Sequence, residues 1–95
     1  MIVKGFKLLN GEEIIARVDE NMTSHDKYSI KRPMVIIPQK MGNQVSIGLV
    51  PWIISANEDI SLDLKDSVIA SPFTPIKEIQ DEYIKQTTGI QIVTG

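Results

Sequence analysis

An Asn-Gly pair between two β-prone runs is the feature that most constrains how this chain can fold. Asn10 and Gly11 separate two segments rich in β-branched and large apolar residues. This dipeptide is the strongest short-range signal for a tight β-hairpin, and both residues tolerate the positive φ that a type I′ turn requires. The sequence therefore predicts two antiparallel strands, over about residues 2–9 and 12–19.

The second of these strands carries apolar residues on both faces. Successive side chains of a strand point to opposite sides, so Ile14, Ala16 and Val18 form one apolar face. Ile15 lies on the other face, where a polar residue would be expected in a half-exposed strand. Its position predicts either a second buried face or a subunit interface.

The chain up to about residue 71 contains further short strands separated by turn signals. Residues 21–27 form a polar loop, and Pro33 predicts a bend or a strand start. The apolar run over residues 34–37 predicts a central strand covered on both faces, which Pro38 would end. Additional strands are predicted over residues 44–54, 60–64 and 68–70.

One amphipathic helix is predicted near the end of the chain, over about residues 75–87. Thr74 is a favourable N-cap and Pro75 a favourable first helical residue. Gly89 predicts the helix stop, and a short strand over about residues 90–93 follows. The apolar stripe at helical spacing consists of Ile76, Ile79, Tyr83, Ile84 and Thr87.

Several apolar residues are candidates for contacts between subunits. Trp52 lies in an apolar run beside a proline, where it belongs either to the core or to a subunit interface. Ile90 and Ile92 lie in the terminal strand, which is either paired internally or available to a partner. With Ile15, they form the set of predicted interface residues. The helix stripe is expected to pack on its own sheet.

Composition excludes several classes of protein. The chain has 95 residues and forms a single domain over 1–95, and it contains no cysteine, which excludes disulfides and thiolate chemistry. The net charge of −2 differs from that of a strongly basic nucleic-acid binder, although a local patch can still bind. With neither an apolar run of ~20 residues nor a secretory pattern at its start, the chain is predicted to be cytoplasmic and not membrane-bound.

Candidate chemistry is sparse. His25 is the only histidine, and with no cysteine it cannot build a typical zinc site. A solvated polar loop is the simpler interpretation of this segment. No nucleophile–base arrangement and no glycine-rich phosphate loop is present, so the sequence predicts no enzyme activity, metal or cofactor.

A small basic cluster has two interpretations. Lys27, Lys31 and Arg32 surround Tyr28, and basic residues interleaved with an aromatic ring can hold single-stranded nucleic acid by charge and stacking. The alternative is an exposed strand edge protected by lysines, which is common and is the favoured interpretation.

The segment from Leu8 to Val18 resembles the first motif of the Sm/LSm family, whose members form small, strongly bent five-stranded barrels that assemble into rings. Ala16 stands where the family usually has glycine, which permits sharp bending of the strand. The chain looks like a divergent member, similar to those of phage and marine microbial sequences. The matching residues are Leu8, Asn10, Gly11, Ile14, Ala16 and Val18.

Two further segments resemble family motifs more loosely. Residues 19–23 are similar to a loop that contacts RNA bases in the family, with Thr23 in place of an asparagine. In residues 64–69, Lys65 stands for an arginine of the second motif. The resemblance implies that Thr23, His25 and Lys65 line the pore-side surface of a ring. The helix comes after the barrel in this chain rather than before it.

The sequence thus predicts a mainly β protein with a small, strongly bent five-stranded Sm-like barrel over about 2–71 and one C-terminal amphipathic helix. The first functional hypothesis is a non-enzymatic homo-oligomer that binds single-stranded RNA. The alternative is an adaptor that uses the same barrel for contacts between proteins. Fold analogy alone does not decide between them.

Overall fold

The computed structural model describes residues 2–88, which form one antiparallel sheet and one α-helix. Two single 3₁₀ turns, Glu20–Met22 and Asp66–Val68, lie in the connections. The predicted terminal strand over 90–93, with Ile90 and Ile92, and the predicted stop at Gly89 lie outside the described residues. The strands are β1 Ile2–Leu8, β2 Glu13–Val18, β3 Lys27–Met41, β4 Gln44–Pro51, β5 Leu62–Lys65 and β6 Ile69–Phe73, and the helix is α1 Lys77–Thr88.

The sheet has the strand order β4-β3-β2-β1-β6, and β5 pairs with the first part of β3. All pairings are antiparallel. The predicted mainly β class with one C-terminal helix is confirmed. The sheet differs from the predicted barrel in that it has six strands rather than five and is not closed, because β4 and β6 do not pair with each other within residues 2–88.

The sheet has a sixth strand because the long strand β3 is bent and its two halves pair with different strands. Arg32 has a φ of +50° and bends β3 immediately before Pro33. The part of β3 before the bend pairs with β5 and the part after it pairs with β4. The prediction that Pro38 ends the strand was wrong: Pro38 pairs with Ile47 of β4, and on its other side β3 is unpaired beyond Val35, so a missing N–H is tolerated there.

The hairpin between β1 and β2 is confirmed, but its turn is not type I′. The Gly11 amide donates to the Leu8 carbonyl oxygen (3.0 Å), and the Leu8 amide donates to the Glu12 carbonyl oxygen (2.8 Å). Gly11 has a φ of +94°, whereas Asn10 keeps a negative φ. The connection is therefore a three-residue loop in which only the glycine is left-handed. The Asn10 side chain accepts a hydrogen bond from the Glu12 amide (2.9 Å) and stiffens the loop.

Two hydrophobic clusters lie on opposite faces of the sheet. The outer cluster, between the sheet and α1, contains Ile15, Met34, Leu49 and Tyr83, with Ile79 and Ile84 packed against it. Ile15 is completely buried there, so the prediction of a second buried face is confirmed and no surface of Ile15 remains for a subunit interface. The inner cluster comprises Phe6, Leu8, Ile14, Ala16, Val18, Ile30 and Leu64.

The helix begins two residues later than predicted. The carbonyl oxygen of Ile76 accepts from the amides of Ile79 and Gln80 (both 3.1 Å), so Ile76 rather than Thr74 stands at the helix start. Pro75 is buried before the helix, and its carbonyl oxygen accepts from the Gln80 side chain (2.6 Å). The predicted stripe does face the sheet, except that Ile76 is 59% exposed.

The described part of the chain contains no helix with the length and apolar character needed to cross a bilayer.

Candidate nucleic-acid interface

The loop between β2 and β3 is held by hydrogen bonds to the Asp19 backbone and side chain. The Asp19 carboxylate accepts from the Asn21 amide (3.1 Å) and caps the first 3₁₀ turn. The Thr23 hydroxyl donates to the Asp19 carbonyl oxygen (2.8 Å) and accepts from the Ser29 amide (3.2 Å). The Thr23 side chain therefore braces the loop, and its hydroxyl already has both a donor and an acceptor partner inside the protein.

The tip of the same loop is a tight turn that exposes His25. The Ser24 amide donates to the Lys27 carbonyl oxygen (3.0 Å), which closes the turn. The Ser24 hydroxyl donates to the Asp26 carboxylate (2.6 Å), and this hydrogen bond lowers the pKa of Asp26 below its ordinary value. His25 is exposed at the tip, with its ring free to contact a ligand.

The connection between β5 and β6 lies directly beside this turn. The Asp66 amide donates to the Asp26 carbonyl oxygen (2.8 Å), and Lys65 is the cross-strand partner of Lys27. Lys65 is exposed, and among residues 2–88 no carboxylate lies within 4 Å of its ammonium group. We call residues 19–26 and 65–68 together the loop surface.

The structure thus brings together two of the three predicted site residues in an available form. His25 and Lys65 are both exposed on adjacent segments, although the segments are separated by about forty residues of sequence. Thr23 belongs to the same loop but supports it from within. The loop surface also carries acidic groups, namely Asp19, Glu20, Asp26 and Asp66.

The basic cluster predicted from the sequence is not a stacking platform. Tyr28 packs edge-on against Phe6 with ring centroids 4.9 Å apart, as part of the shell of the inner cluster. Lys27 forms an ion pair with Asp63 (3.1 Å), and Arg32 lies toward the helix end and the Glu58 carboxylate. Lys27, Tyr28 and Arg32 therefore have separate surroundings, which favours the interpretation of the basic side chains as solvated or paired surface charges.

Trp52 lies at the edge of the inner cluster. It is half-buried, and its indole N–H donates to the Glu12 carboxylate at 3.4 Å. Its amide donates to the Pro33 carbonyl oxygen (3.0 Å). Much of the ring is therefore packed within its own chain, and a role of the remainder in a subunit interface stays a prediction.

Sequence reasoning missed a polar network that fixes the end of α1 to the sheet. The Tyr83 hydroxyl accepts from the Arg17 amide (3.1 Å) and donates to the Arg32 carbonyl oxygen (2.8 Å). The Arg17 guanidinium donates to the Thr87 hydroxyl (2.9 Å), and the Arg32 guanidinium donates to the Thr87 carbonyl oxygen. Burial raises the pKa of Tyr83 to about 12.

The only sequence signal for this network was the place of Tyr83 and Thr87 on the apolar stripe. A hydroxyl at each of these positions needs a partner when buried, because an unpaired buried polar group is costly. Nothing in the local sequence names Arg17 or Arg32 as that partner.

The described residues contain no cluster of three or more histidine, cysteine, aspartate or glutamate side chains that could hold a metal ion. No known family model matches the chain, and no curated protein matches it.

Proposed function

We propose that this chain is a non-enzymatic, Sm-like module that assembles with copies of itself in the cytoplasm and binds single-stranded RNA at the loop surface. The observation that carries the proposal is the contact between the loop that contains the motif-like residues 19–23 and the connection that contains Lys65. Asp66 donates to Asp26 across them, and His25 and Lys65 are exposed on either side of this contact. An imidazole ring and an unpaired ammonium group suit stacking and phosphate contact, respectively.

The packing of the first motif supports the same family. Its apolar members, Leu8, Ile14, Ala16 and Val18, all belong to the inner cluster. The pairing of β2 with β3 shifts register at Ala16, between Ile15 and Arg17. A small, fully buried residue is expected where a strand is irregular and bends, which is the role of the small residue in the motif.

Two sheet edges support self-assembly. Within residues 2–88, β4 pairs only with β3, and β6 pairs only with β1. An unpaired edge offers N–H and C=O groups to a strand from another molecule. β4 carries Ile47 and Val50, each about two-fifths exposed, beside this edge. A homo-oligomer built on these edges would cover groups that a monomer leaves in water.

The charge of the loop surface limits the mode of binding. The four acidic residues repel phosphate, so Lys65 would supply most of the electrostatic attraction there. We therefore expect modest affinity with a shallow salt dependence, in which each neutralised phosphate of a single strand contributes a slope of about −0.7 in log affinity against log salt.

The first experiment is the absolute mass in solution by light scattering, with and without a short oligouridylate. A defined oligomer that gains the mass of RNA supports the proposal. A defined oligomer that does not gain RNA mass overturns the RNA part, and a monomer overturns the assembly part.

A matched pair of variants then tests the site. Lys65→Ala should weaken oligouridylate binding and reduce the salt slope by about 0.7, the value for one lost phosphate contact. Lys40→Ala, which removes an exposed lysine from the β3–β4 hairpin, is the control and should change neither quantity. His25→Ala should weaken binding through the loss of a ring that can stack on a base. If Lys65→Ala and Lys40→Ala change the affinity for oligouridylate equally, the loop surface is not the RNA-binding site.

An adaptor for proteins is the second candidate, favoured by a shallow groove between β4 and α1. Ile47 and Ile76 flank this groove and are 42% and 59% exposed. Glu78 and Glu82 line it as well, so a basic and apolar segment would match its charge. The adaptor function would be supported by an oligomer that gains no mass with RNA and that dissociates to a smaller mass when Ile47→Asp is introduced.

A further inference from the structure

The outer edge of β4 presents a continuous row of open backbone groups. The Trp52 amide donates to the Pro33 carbonyl oxygen (3.0 Å), which continues the β3–β4 ladder by one pair. Because the backbone groups of an antiparallel strand point alternately to its two sides, the even-numbered residues of β4 bond to β3. The odd-numbered residues point to the free side, where β4 has no partner strand within residues 2–88. The open N–H and C=O groups belong to Val45, Ile47 and Leu49.

The edge of the sheet at β6 is blocked against further pairing. The Leu8 amide donates to the Glu12 carbonyl oxygen, so every second residue of β1, including Phe6, turns its backbone groups toward β2. Pro72, the cross-strand partner of Phe6, therefore turns its nitrogen, which carries no hydrogen, toward the free side of β6. The Pro72 carbonyl oxygen accepts from the Ser71 hydroxyl (3.1 Å). This edge offers few groups to another strand.

Two further edges within residues 2–88 are blocked as well. β3 has no partner beyond Val35 on the side away from β4, and Pro38 turns its nitrogen to that side because its cross-strand partner Ile47 faces outward. β5 has four residues and carries Asp63 and Lys65. Prolines, charges and short strands are the usual means of protecting an edge. β4, with eight residues and no charged side chain, lacks this protection.

The open row of β4 is complementary to itself. In an antiparallel arrangement with a two-fold axis at Ile47, Ile47 lies opposite Ile47 of the second copy, and Val45 lies opposite Leu49. Each of these pairs exchanges N–H···O=C bonds in both directions, so every open group of the row gains a partner. Pairing of a strand with its own copy is unfavourable where like charges face each other, and β4 has no charge.

We propose that β4 pairs edge to edge with β4 of a second copy of this chain, in antiparallel register about Ile47. The inference rests on the assembly part of the proposed function and does not depend on RNA binding. The contact uses the same surface on both copies, so it closes with a two-fold symmetric dimer. The two sheets then form one continuous sheet across the axis.

The same contact covers apolar side chains. Ile47 and Leu49 lie on the face of β4 next to α1, where they line a groove with Ile76 and Ile79. In the single chain, Ile47 is 42% exposed and Ile76 is 59% exposed. The two-fold axis is perpendicular to the sheet, so both helices lie on one face and the two Ile47 side chains meet at the axis. Side-chain packing therefore adds to the backbone hydrogen bonds.

Removal of one backbone donor tests the register. Ile47→Pro removes the central open N–H but no hydrogen bond to β3, and Pro38 and Pro51 already occupy equivalent positions of this ladder. Light scattering should give twice the chain mass of 10.6 kDa for the natural protein, and the mass of one chain for Ile47→Pro at the same concentration. Ile47→Thr is the control, because it keeps the N–H and a β-branched side chain, and it should remain a dimer.

The masses separate this inference from the proposed function. A natural protein that is monomeric overturns both. A natural oligomer whose mass Ile47→Pro leaves unchanged overturns only the pairing through β4, and so does equal dissociation of Ile47→Pro and Ile47→Thr. Circular dichroism establishes that each variant is folded.

Cross-linking tests the two-fold symmetry and does not require that Ile47→Pro folds. The natural chain has no cysteine, so Ile47→Cys carries a single thiol that the dimer places beside its own copy. A short bis-maleimide should link Ile47→Cys into covalent dimers at least ~tenfold faster than Ile60→Cys, because thiols held together have an effective concentration in the millimolar range. Ile60, which is 58% exposed and lies outside β4, is the matched control position. Equal rates for the two variants would overturn the proposal.

A mixed experiment tests the head-to-tail alternative. Ala70 is exposed on β6, so Ala70→Cys in a chain enlarged by a tag reports on contact between β4 and β6. When this chain is mixed with Ile47→Cys, the covalent product should remain the dimer of two Ile47→Cys chains. A product that joins Ile47→Cys to Ala70→Cys in its place would overturn the two-fold arrangement.

Discussion

The inner and outer clusters cover the two faces of one sheet, but they are held by different kinds of interaction. All seven buried members of the inner cluster come from strands, and each is apolar. The outer cluster joins strands to α1, and its largest member, Tyr83, carries a hydroxyl bonded to Arg17 and Arg32. The inner cluster therefore depends on side-chain packing, whereas the outer cluster also depends on a few hydrogen bonds between residues far apart in sequence.

The interactions that form the sheet therefore differ from those that attach α1 to it. Packing of strand residues follows from local alternation and creates the sheet. Docking of α1 needs a specific match between hydroxyl groups on the helix and backbone groups on β2 and β3. Substitutions in the two clusters should therefore have different effects: those in the inner cluster destabilise the sheet, and those in the outer cluster weaken the attachment of α1.

The largest effect is expected from Phe6→Ala in the inner cluster. Phe6 is completely buried and packs edge-on against Tyr28, so its truncation should lower the free energy of unfolding by about 3–5 kcal/mol. Urea unfolding measures the change. Ile2→Ala on the same strand, at a side chain that is 47% exposed, is the control and should cost about 1 kcal/mol or less. Similar losses for both variants would contradict the role assigned to the inner cluster.

Gly5→Ala tests the other face of β1. A Cβ atom at Gly5 would lie 2.4 Å from the ring of Phe73, its cross-strand partner on β6, so the ring has to move. We expect the free energy of unfolding to fall by about 1–3 kcal/mol, as for other overpacked sites. In a Phe73→Leu background the same substitution should cost less, and thermal unfolding of the four proteins of this cycle measures the coupling. An unchanged cost in that background would rule out the ring as the cause.

Tyr83→Phe tests the polar attachment of the helix. It keeps the buried ring but removes the partner of the Arg17 amide, which should lower the free energy of unfolding by about 1–3 kcal/mol. Hydrogen exchange should speed up at the Arg17 amide more than at amides in the β1–β2 hairpin. Tyr28→Phe is the matched control, because the Tyr28 hydroxyl has no hydrogen-bond partner among residues 2–88. If both variants lose the same stability, the hydroxyl network does not hold the helix.

The smallest effect concerns alkaline pH. Because burial raises the pKa of Tyr83 to about 12, the folded state keeps this proton where the unfolded chain, with a pKa near ~10, releases it. The contribution to stability is complete below pH ~10 and is lost as the pH rises toward 12. Unfolding midpoints of the natural chain should therefore fall over this range more steeply than those of Tyr83→Phe. If the unfolding midpoints of the natural chain and of Tyr83→Phe fall in parallel as the pH rises, the raised pKa of Tyr83 is contradicted.

The sequence predicted the inner cluster better than the outer one. Alternation in β2 placed Ile14, Ala16 and Val18 on one buried face and left Ile15 with two alternatives. Burial of Ile15 depends on a helix more than sixty residues away, which no local pattern specifies. The helix itself was predictable from its stripe, but its start was not, because Pro75 is buried before the first turn.

One proline misled the prediction of β3, and the candidate site was predicted only in part. Pro33 does lie at a bend, next to the left-handed Arg32, as predicted. Pro38 was wrongly predicted to end the strand, because one side of β3 is unpaired beyond Val35 and tolerates a proline. At the loop surface, the resemblance pointed to segments that do lie together. It could not predict that the Thr23 hydroxyl is bonded to Asp19 and Ser29, since these partners depend on the folded loop.

The pairing of β3 with three other strands has a consequence for how the sheet is built. β3 and β4 are joined by a two-residue turn and can pair early, since closing a short loop costs little entropy. β1 and β6 are the first and last strands within residues 2–88, so their pairing closes the longest loop of any strand pair described. Assembly is therefore expected to spread outward from β3, with β6 the last strand to join. The edge of β1 that β6 covers would therefore stay open to solvent, and to strands of other molecules, longer than any other pairing edge inside the sheet.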